Sequence, residues 1–119
     1  MNKTRRAEIA ALVGELQSIH DAACEPSPDY PTLSACIEAA HSQLVDLEGD
    51  EQEAYDNMPE SFQLADKGVA SLAAVQALQA AQNALILAGE TCTDVELTDR
   101  AGTLASHLDS AITPLEGIE

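Results

Sequence analysis

Apolar side chains recur along this chain at alternating spacings of three and four, in stretches separated by turn signals. Ile9, Leu12, Leu16, Ile19 and Ala23 form the first series. Leu33, Ile37, Ala40, Leu44 and Leu47 form the second, and Leu97, Ala101, Leu104, Leu108 and Ala111 the last, widened by Ile112. That spacing marks a helix packing along one face. Between the second and last series the pattern changes. From Gly68 to Gly89 no residue is charged; Leu72, Val75, Leu78, Leu85, Ile86 and Leu87 cover much of the circumference, and alanines fill most other positions. A helix apolar nearly all round belongs in the centre of a bundle or in an oligomer interface. Gln76, Gln79 and Asn83 draw one narrow polar stripe along it.

Turn chemistry sets the boundaries at about 5–23, 33–56, 66–88 and 94–112. Glu25-Pro26-Ser27-Pro28 forbids continuation of the first helix. The second begins after Pro31, near Leu33, and closes at Asn57-Met58-Pro59. Within it Glu51 falls on the apolar seam just after Gly49, so the helix either bends there or projects its last turns into solvent. Residues 60–67 read as a connector. Gly89 is placed to cap the third helix, and Thr93-Asp94-Val95-Glu96 fits a capping box that starts the fourth. Pro114 and Gly117 mark its end. Four amphipathic segments on short connectors in one domain predict an all-α, antiparallel four-helix bundle whose second helix is long and acidic. A helical hairpin with extra helices, completed by dimerisation, is the alternative.

Charge changes the picture. The net charge is −16, from 21 acids and five bases, and seven of the acids fall between Asp46 and Glu60 with no base among them. Phosphate contacts need clustered Lys and Arg, so direct nucleic-acid binding and attraction to anionic membranes are both disfavoured. The field favours basic partners, including the nucleic-acid-binding faces of other proteins. Asp46, Glu48, Asp50, Glu51, Glu53 and Asp56 are the candidate partner-binding residues, displayed outward by a neutral third helix that the rest of the molecule encloses. On a helix such like charges repel by only a few tenths of a kcal/mol per pair, so solubility alone would also account for them. Leu72, Val75, Leu78 and Leu85 are the candidate packing or oligomer residues.

Other chemistry finds little support. Cys24, Cys36 and Cys92 include no CxxC pair; with no leader at the N-terminus they read as reduced thiols of a cytoplasmic protein, Cys36 as a small buried side chain. The charge-free stretch is long enough to span a bilayer, but four mid-span amides (Gln76, Gln79, Gln82 and Asn83) argue against it. Glu38-Ala39-Ala40-His41 matches one half of a di-iron element and has no second copy. A calcium loop framed on Asp46 fails, with Glu51 where glycine is required and Asn57 where glutamate is. No cofactor and no enzymatic activity are expected. A metal-dependent enzyme centred on Glu38 and His41 is the remaining reading of that kind.

The segment Glu51-Gln52-Glu53-Ala54-Tyr55-Asp56-Asn57-Met58-Pro59-Glu60-Ser61-Phe62-Gln63 resembles one found in small acidic helical proteins of phages and prophages. There an acidic helix enters such a turn, followed by a glycine and an alanine-rich helix, as Gly68 and the stretch to Ala88 do here. The resemblance covers roughly residues 44 to 88 and implies a helical hairpin and a phage or prophage gene, without an activity. This chain departs from the pattern in its nearly neutral third helix and in its additional first and last helices. Tyr55 and Phe62 flank the Asn57-Met58-Pro59 break, so their rings are expected to pack across the turn, with Met58 filling the gap. The functional expectation is a small interaction protein that binds a basic host surface and blocks nucleic acid there, as DNA-mimic anti-restriction or anti-CRISPR proteins do. The partner would be a nucleic-acid-binding nuclease complex in the host cytoplasm. The alternative is a structural or assembly protein that homodimerises through its third helix.

Overall fold

Capping side chains explain where three of the helices begin. The computed structural model describes residues 1–118. Helix α1 (Lys3–Ala23) opens on Asn2, whose Oδ1 accepts the Arg5 amide at 2.8 Å. Helix α2 (Tyr30–Asp56) opens on Asp29, whose carboxylate accepts the Thr32 amide at 3.3 Å and its hydroxyl at 2.7 Å. Pro31 is therefore inside the first turn, where its missing N–H has no intrahelical partner to lose. Gly49 does not end α2; the helix continues to Asp56. A single turn, α3 (Glu60–Gln63), occupies the expected connector.

The two long C-terminal elements depart from expectation at their ends. Helix α4 (Asp66–Thr93) passes straight through Gly89, because Thr91 and Cys92 carry the buried seam another turn. Thr93 belongs to that last turn, its hydroxyl donating to the Glu90 carbonyl at 2.9 Å, so it cannot head the capping box. Helix α5 (Arg100–Glu116) starts instead at Asp99, which accepts the Gly102 amide at 3.1 Å. Leu97 is left in the connector, 36% exposed rather than on the seam. Pro114 lies inside α5, one turn from its end, where losing one backbone hydrogen bond is tolerated. Arg100 closes this end of the molecule: its guanidinium stacks 3.8 Å from the Tyr30 ring centroid and its Nε donates to the Thr91 carbonyl at 3.2 Å.

The four seams meet in one continuous core. Leu12, Leu16, Ile37, Leu44, Leu78, Leu85, Leu104 and Leu108 are all at most 1% exposed. Each such side chain contributes about 1.5–3 kcal/mol by leaving water. Around the core the long helices follow the ring order α1–α2–α4–α5, with α2·α4 and α4·α5 packed most extensively and α1·α2 least. Neighbours run antiparallel throughout. Arg5 meets Glu51, Ser71 meets Glu51 while Gln82 meets Leu44, Thr91 meets Arg100, and His20 meets Asp109. The result is an all-α bundle of 52 × 22 × 19 Å.

Two expected contacts fail. Phe62 is 56% exposed, so no ring pair locks the turn between α2 and α3; the Gln63 side-chain amide does so, donating to the Tyr55 carbonyl at 3.0 Å. Cys36 is exposed, since it precedes Ile37 on the helix and is turned away from the seam. The glycine that follows the turn has a steric reason. A Cβ at Gly68 would collide with the backbone of Phe62 and Gln63, so the first turn of α4 can lie against α3 only without a side chain there. Gly68→Ala is expected to destabilise the protein by about 3 kcal/mol, lowering the melting temperature by roughly 12 °C. Gly14→Ala, with open space around its Cβ, is expected to raise it slightly. Thermal unfolding followed by circular dichroism measures both.

Candidate acidic groove

Glu51 is the acid that behaves differently from the others. It continues the seam of Leu44 and Leu47 at spacings of three and four, and it is 1% exposed, so it does not join an outward-facing row. Its carboxylate is held from three directions. Ser71 Oγ of α4 donates to Oε1 at 2.6 Å, Arg5 Nε of α1 donates to Oε2 at 2.9 Å, and the N-terminal ammonium lies 3.4 Å from Oε1. Burial alone pushes this carboxyl up; the Ser71 hydroxyl, the ammonium and Arg5 together outweigh it and hold the group below the ordinary glutamate range. Its local spacing signals the inward direction. The partners lie 46 and 20 residues away in sequence, where no local pattern could show them.

With Glu51 turned in, its neighbours on α2 turn out. Asp46, Asp50, Glu53 and Asp56 are exposed and Glu48 is half-buried. Because α1 leans toward α5, a groove of about 360 Å³ opens between α1 and α2. Asp46 and Asp50 line it from α2, and Glu8 and Glu15 face them from α1. Ala11, Leu12 and Leu47 form its floor and Gln43 a wall. Glu53 follows Asp50 one turn on along the same side of α2. None of these acids makes an ion pair among the described residues; Arg5 is committed to Glu51 and Arg100 to Tyr30 and Thr91. Asp56 accepts from Gln52 Nε2 at 3.0 Å, and neither it nor Glu48 lines the groove. Glu8 and Glu15 were absent from the expected set. They flank the first seam seven residues apart, the placement of charges beside a packing stripe, and that spacing was the available signal.

The packing candidates divide as well. Val75, Leu78 and Leu85 are buried within the bundle, whereas Leu72 is 38% exposed on the outer side of α4. Glu38 and His41 share a groove of about 220 Å³ with Glu90, and among the described residues no group of three or more His, Cys, Asp or Glu is placed to hold a metal. Cys92 is buried, which pushes its thiol up despite the opposing charge of Arg100; Cys24 and Cys36 are exposed and unpaired by disulfide.

Glu51→Gln is expected to destabilise the protein at neutral pH by about 3 kcal/mol, a fall of roughly 12 °C in melting temperature, because Arg5 and the ammonium lose their counter-charge. A carboxyl depressed in the folded state contributes stability above its unfolded value near 4.5, and that contribution is lost as pH falls through the lower folded value. The difference between parent and variant should therefore shrink in acid, which melts at pH 7 and across the acid range would measure. Comparison with known proteins gives no matching family model, and no curated protein or solved structure that matches the chain.

Proposed function

We propose that this is a non-enzymatic interaction protein that binds a basic surface of a host nucleic-acid-binding protein and keeps nucleic acid from it, in the manner of DNA-mimic anti-restriction or anti-CRISPR proteins. The observation that carries this reading is the α1–α2 groove, in which Glu8, Glu15, Asp46 and Asp50 stand in two facing rows and form no ion pair among the described residues. Four uncompensated carboxylates around one concavity raise each other's energy, and the most effective relief is a set of Lys or Arg side chains supplied from outside. Residues that ordinarily hold phosphates have that charge and reach. The methylene stems of Lys and Arg also have somewhere to lie, along Ala11 and the edges of Leu12 and Leu47.

The overall charge of −16 supports the same reading, because it accelerates encounter with a basic surface and repels competing nucleic acid. The phage-type turn segment supports a setting in which a host protein is the target, in the cytoplasm of the infected cell. No cofactor enters this mechanism.

The reading predicts that immobilised protein retains nucleic-acid-binding proteins from nuclease-treated bacterial lysate at low salt and releases them as salt rises. Nucleic acid added to the captured protein should compete. The double variant Asp46→Lys, Asp50→Lys should bind at least about tenfold more weakly, a loss of about 1.4 kcal/mol or more. Equal retention by parent and variant, or retention indifferent to salt, would contradict it.

A further inference from the structure

A second groove runs between α2 and α4, on the flank of α2 opposite the one that faces α1. Ser34, Glu38, His41, Val45 and Glu48 follow one another along α2 at spacings of four and three. Leu72, Gln79, Asn83, Ile86 and Glu90 follow along α4 at seven, four, three and four. Each set therefore occupies one side of its helix. The helices run antiparallel, Ser71 reaching Glu51 at 2.6 Å and Gln82 reaching the Leu44 carbonyl at 3.5 Å, so the two ridges lie side by side. Glu38 and His41 meet Ile86 and Glu90 across a cavity of about 220 Å³.

This groove mixes apolar and acidic groups. Ile86 is 48% exposed, Val45 44% and Leu72 38%, so each keeps much of its side chain in water. Glu38, Glu48 and Glu90 stand among them, and none forms an ion pair among the described residues. His41 is the one basic residue on either ridge. Between Ile86 and Glu90 the wall is Gly89, inside a helix where glycine costs about 1 kcal/mol against alanine. A Cβ there would meet nothing within 4 Å, so no contact within the chain requires its absence. Its effect is to leave the groove open to an approaching backbone.

We infer that the α2–α4 groove docks a basic amphipathic helix of a partner protein. Charge complementarity selects the sign. Lys or Arg relieves Glu38, Glu48 and Glu90, whereas a second copy at −16 brings further acid and an anionic membrane is repelled. Spacing selects the shape. Two antiparallel ridges at helical spacing form a surface into which a third helix sets apolar side chains at i, i+3, i+4 and i+7. Those side chains cover Ile86, Val45 and Leu72, while Lys and Arg on the flanks of the same helix reach the carboxylates. Leu72 to Glu90 spans about 27 Å at 1.5 Å per residue, room for a helix of about five turns. The acidic α1–α2 groove lies on the other flank of α2, and the inference does not depend on it.

The probe is a synthetic peptide of about 18 residues, Leu at helical spacing and Lys elsewhere, with a control of the same composition in scrambled order. Titrated into the isotope-labelled full chain at about 150 mM salt, the helical peptide should shift the amide resonances of Glu38, His41, Val45, Asn83, Ile86 and Glu90. It should bind at least about tenfold tighter than the scrambled control. Gly89→Leu fills the groove, and Val45→Ser with Ile86→Ser removes its exposed apolar side chains. Each should weaken binding about tenfold or more while melting within a few degrees of the parent. Asp46→Lys with Asp50→Lys should leave the α2–α4 shifts in place. Shifts confined to Glu8, Glu15, Asp46 and Asp50, equal binding of the two peptides, or binding unchanged in Gly89→Leu would overturn the inference. So would α2–α4 resonances that move on dilution of the protein alone or on addition of neutral phosphatidylcholine vesicles, since a second copy or a membrane would then be the occupant.

Discussion

The orientation of the acidic helix depends on one buried contact, the carboxylate of Glu51 held by Ser71, Arg5 and the N-terminal ammonium. Those groups come from α4, α1 and the residues just before it, so the contact joins three parts of the molecule at one point. It also decides what α2 presents. A helix turns 100° per residue, so fixing Glu51 inward sets Asp50 and Asp46 about 100–140° away, on the flank that faces α1, and Glu53 about 160° away. A buried carboxylate is expensive unless several donors satisfy it, and here three do. Arg5, one of only five bases in the chain, is used there and not on the surface. The remaining acids are left unneutralised as a consequence.

A molecule of this charge keeps its fold by separating kinds of surface. Acids concentrate on α2, with Glu8 and Glu15 across from them on α1, and the longest helix, α4, carries none between Asp66 and Glu90. Repulsion among exposed carboxylates is screened by water and salt, whereas the apolar seams are dry and continuous. Self-repulsion is therefore offset by burial that does not depend on ionic strength.

Most of the fold was legible from periodicity, because seams at spacings of three and four are properties of single helices. Four of the five residues in the last predicted series, Ala101 to Ala111, lie in α5, and all of the first and second series lie in α1 and α2. Helix ends were less legible, since they turn on which of several competent caps is used. Thr93 and Asp99 could each head a helix, and the choice fell to Asp99 because Thr91 and Cys92 had tertiary reasons to stay in α4. For the candidate site, local spacing pointed Asp46, Asp50 and Glu53 outward correctly and, read as one seam with Leu44 and Leu47, would have pointed Glu51 inward. The facing row of Glu8 and Glu15 was out of reach, because the lean of α1 toward α5 that opens the groove is a tertiary fact.

The claim on which the account rests is that Glu51 is an internal anchor and not a surface acid, and its protonation reports this directly. A carbon-detected NMR titration of the Glu51 side-chain carboxyl, assigned by comparison with Glu51→Gln, should place it below the ordinary glutamate value of 4.5. A carboxyl titrating at or above that value would mean that Ser71 and Arg5 do not hold it, and that the outward direction of its neighbours has some other cause.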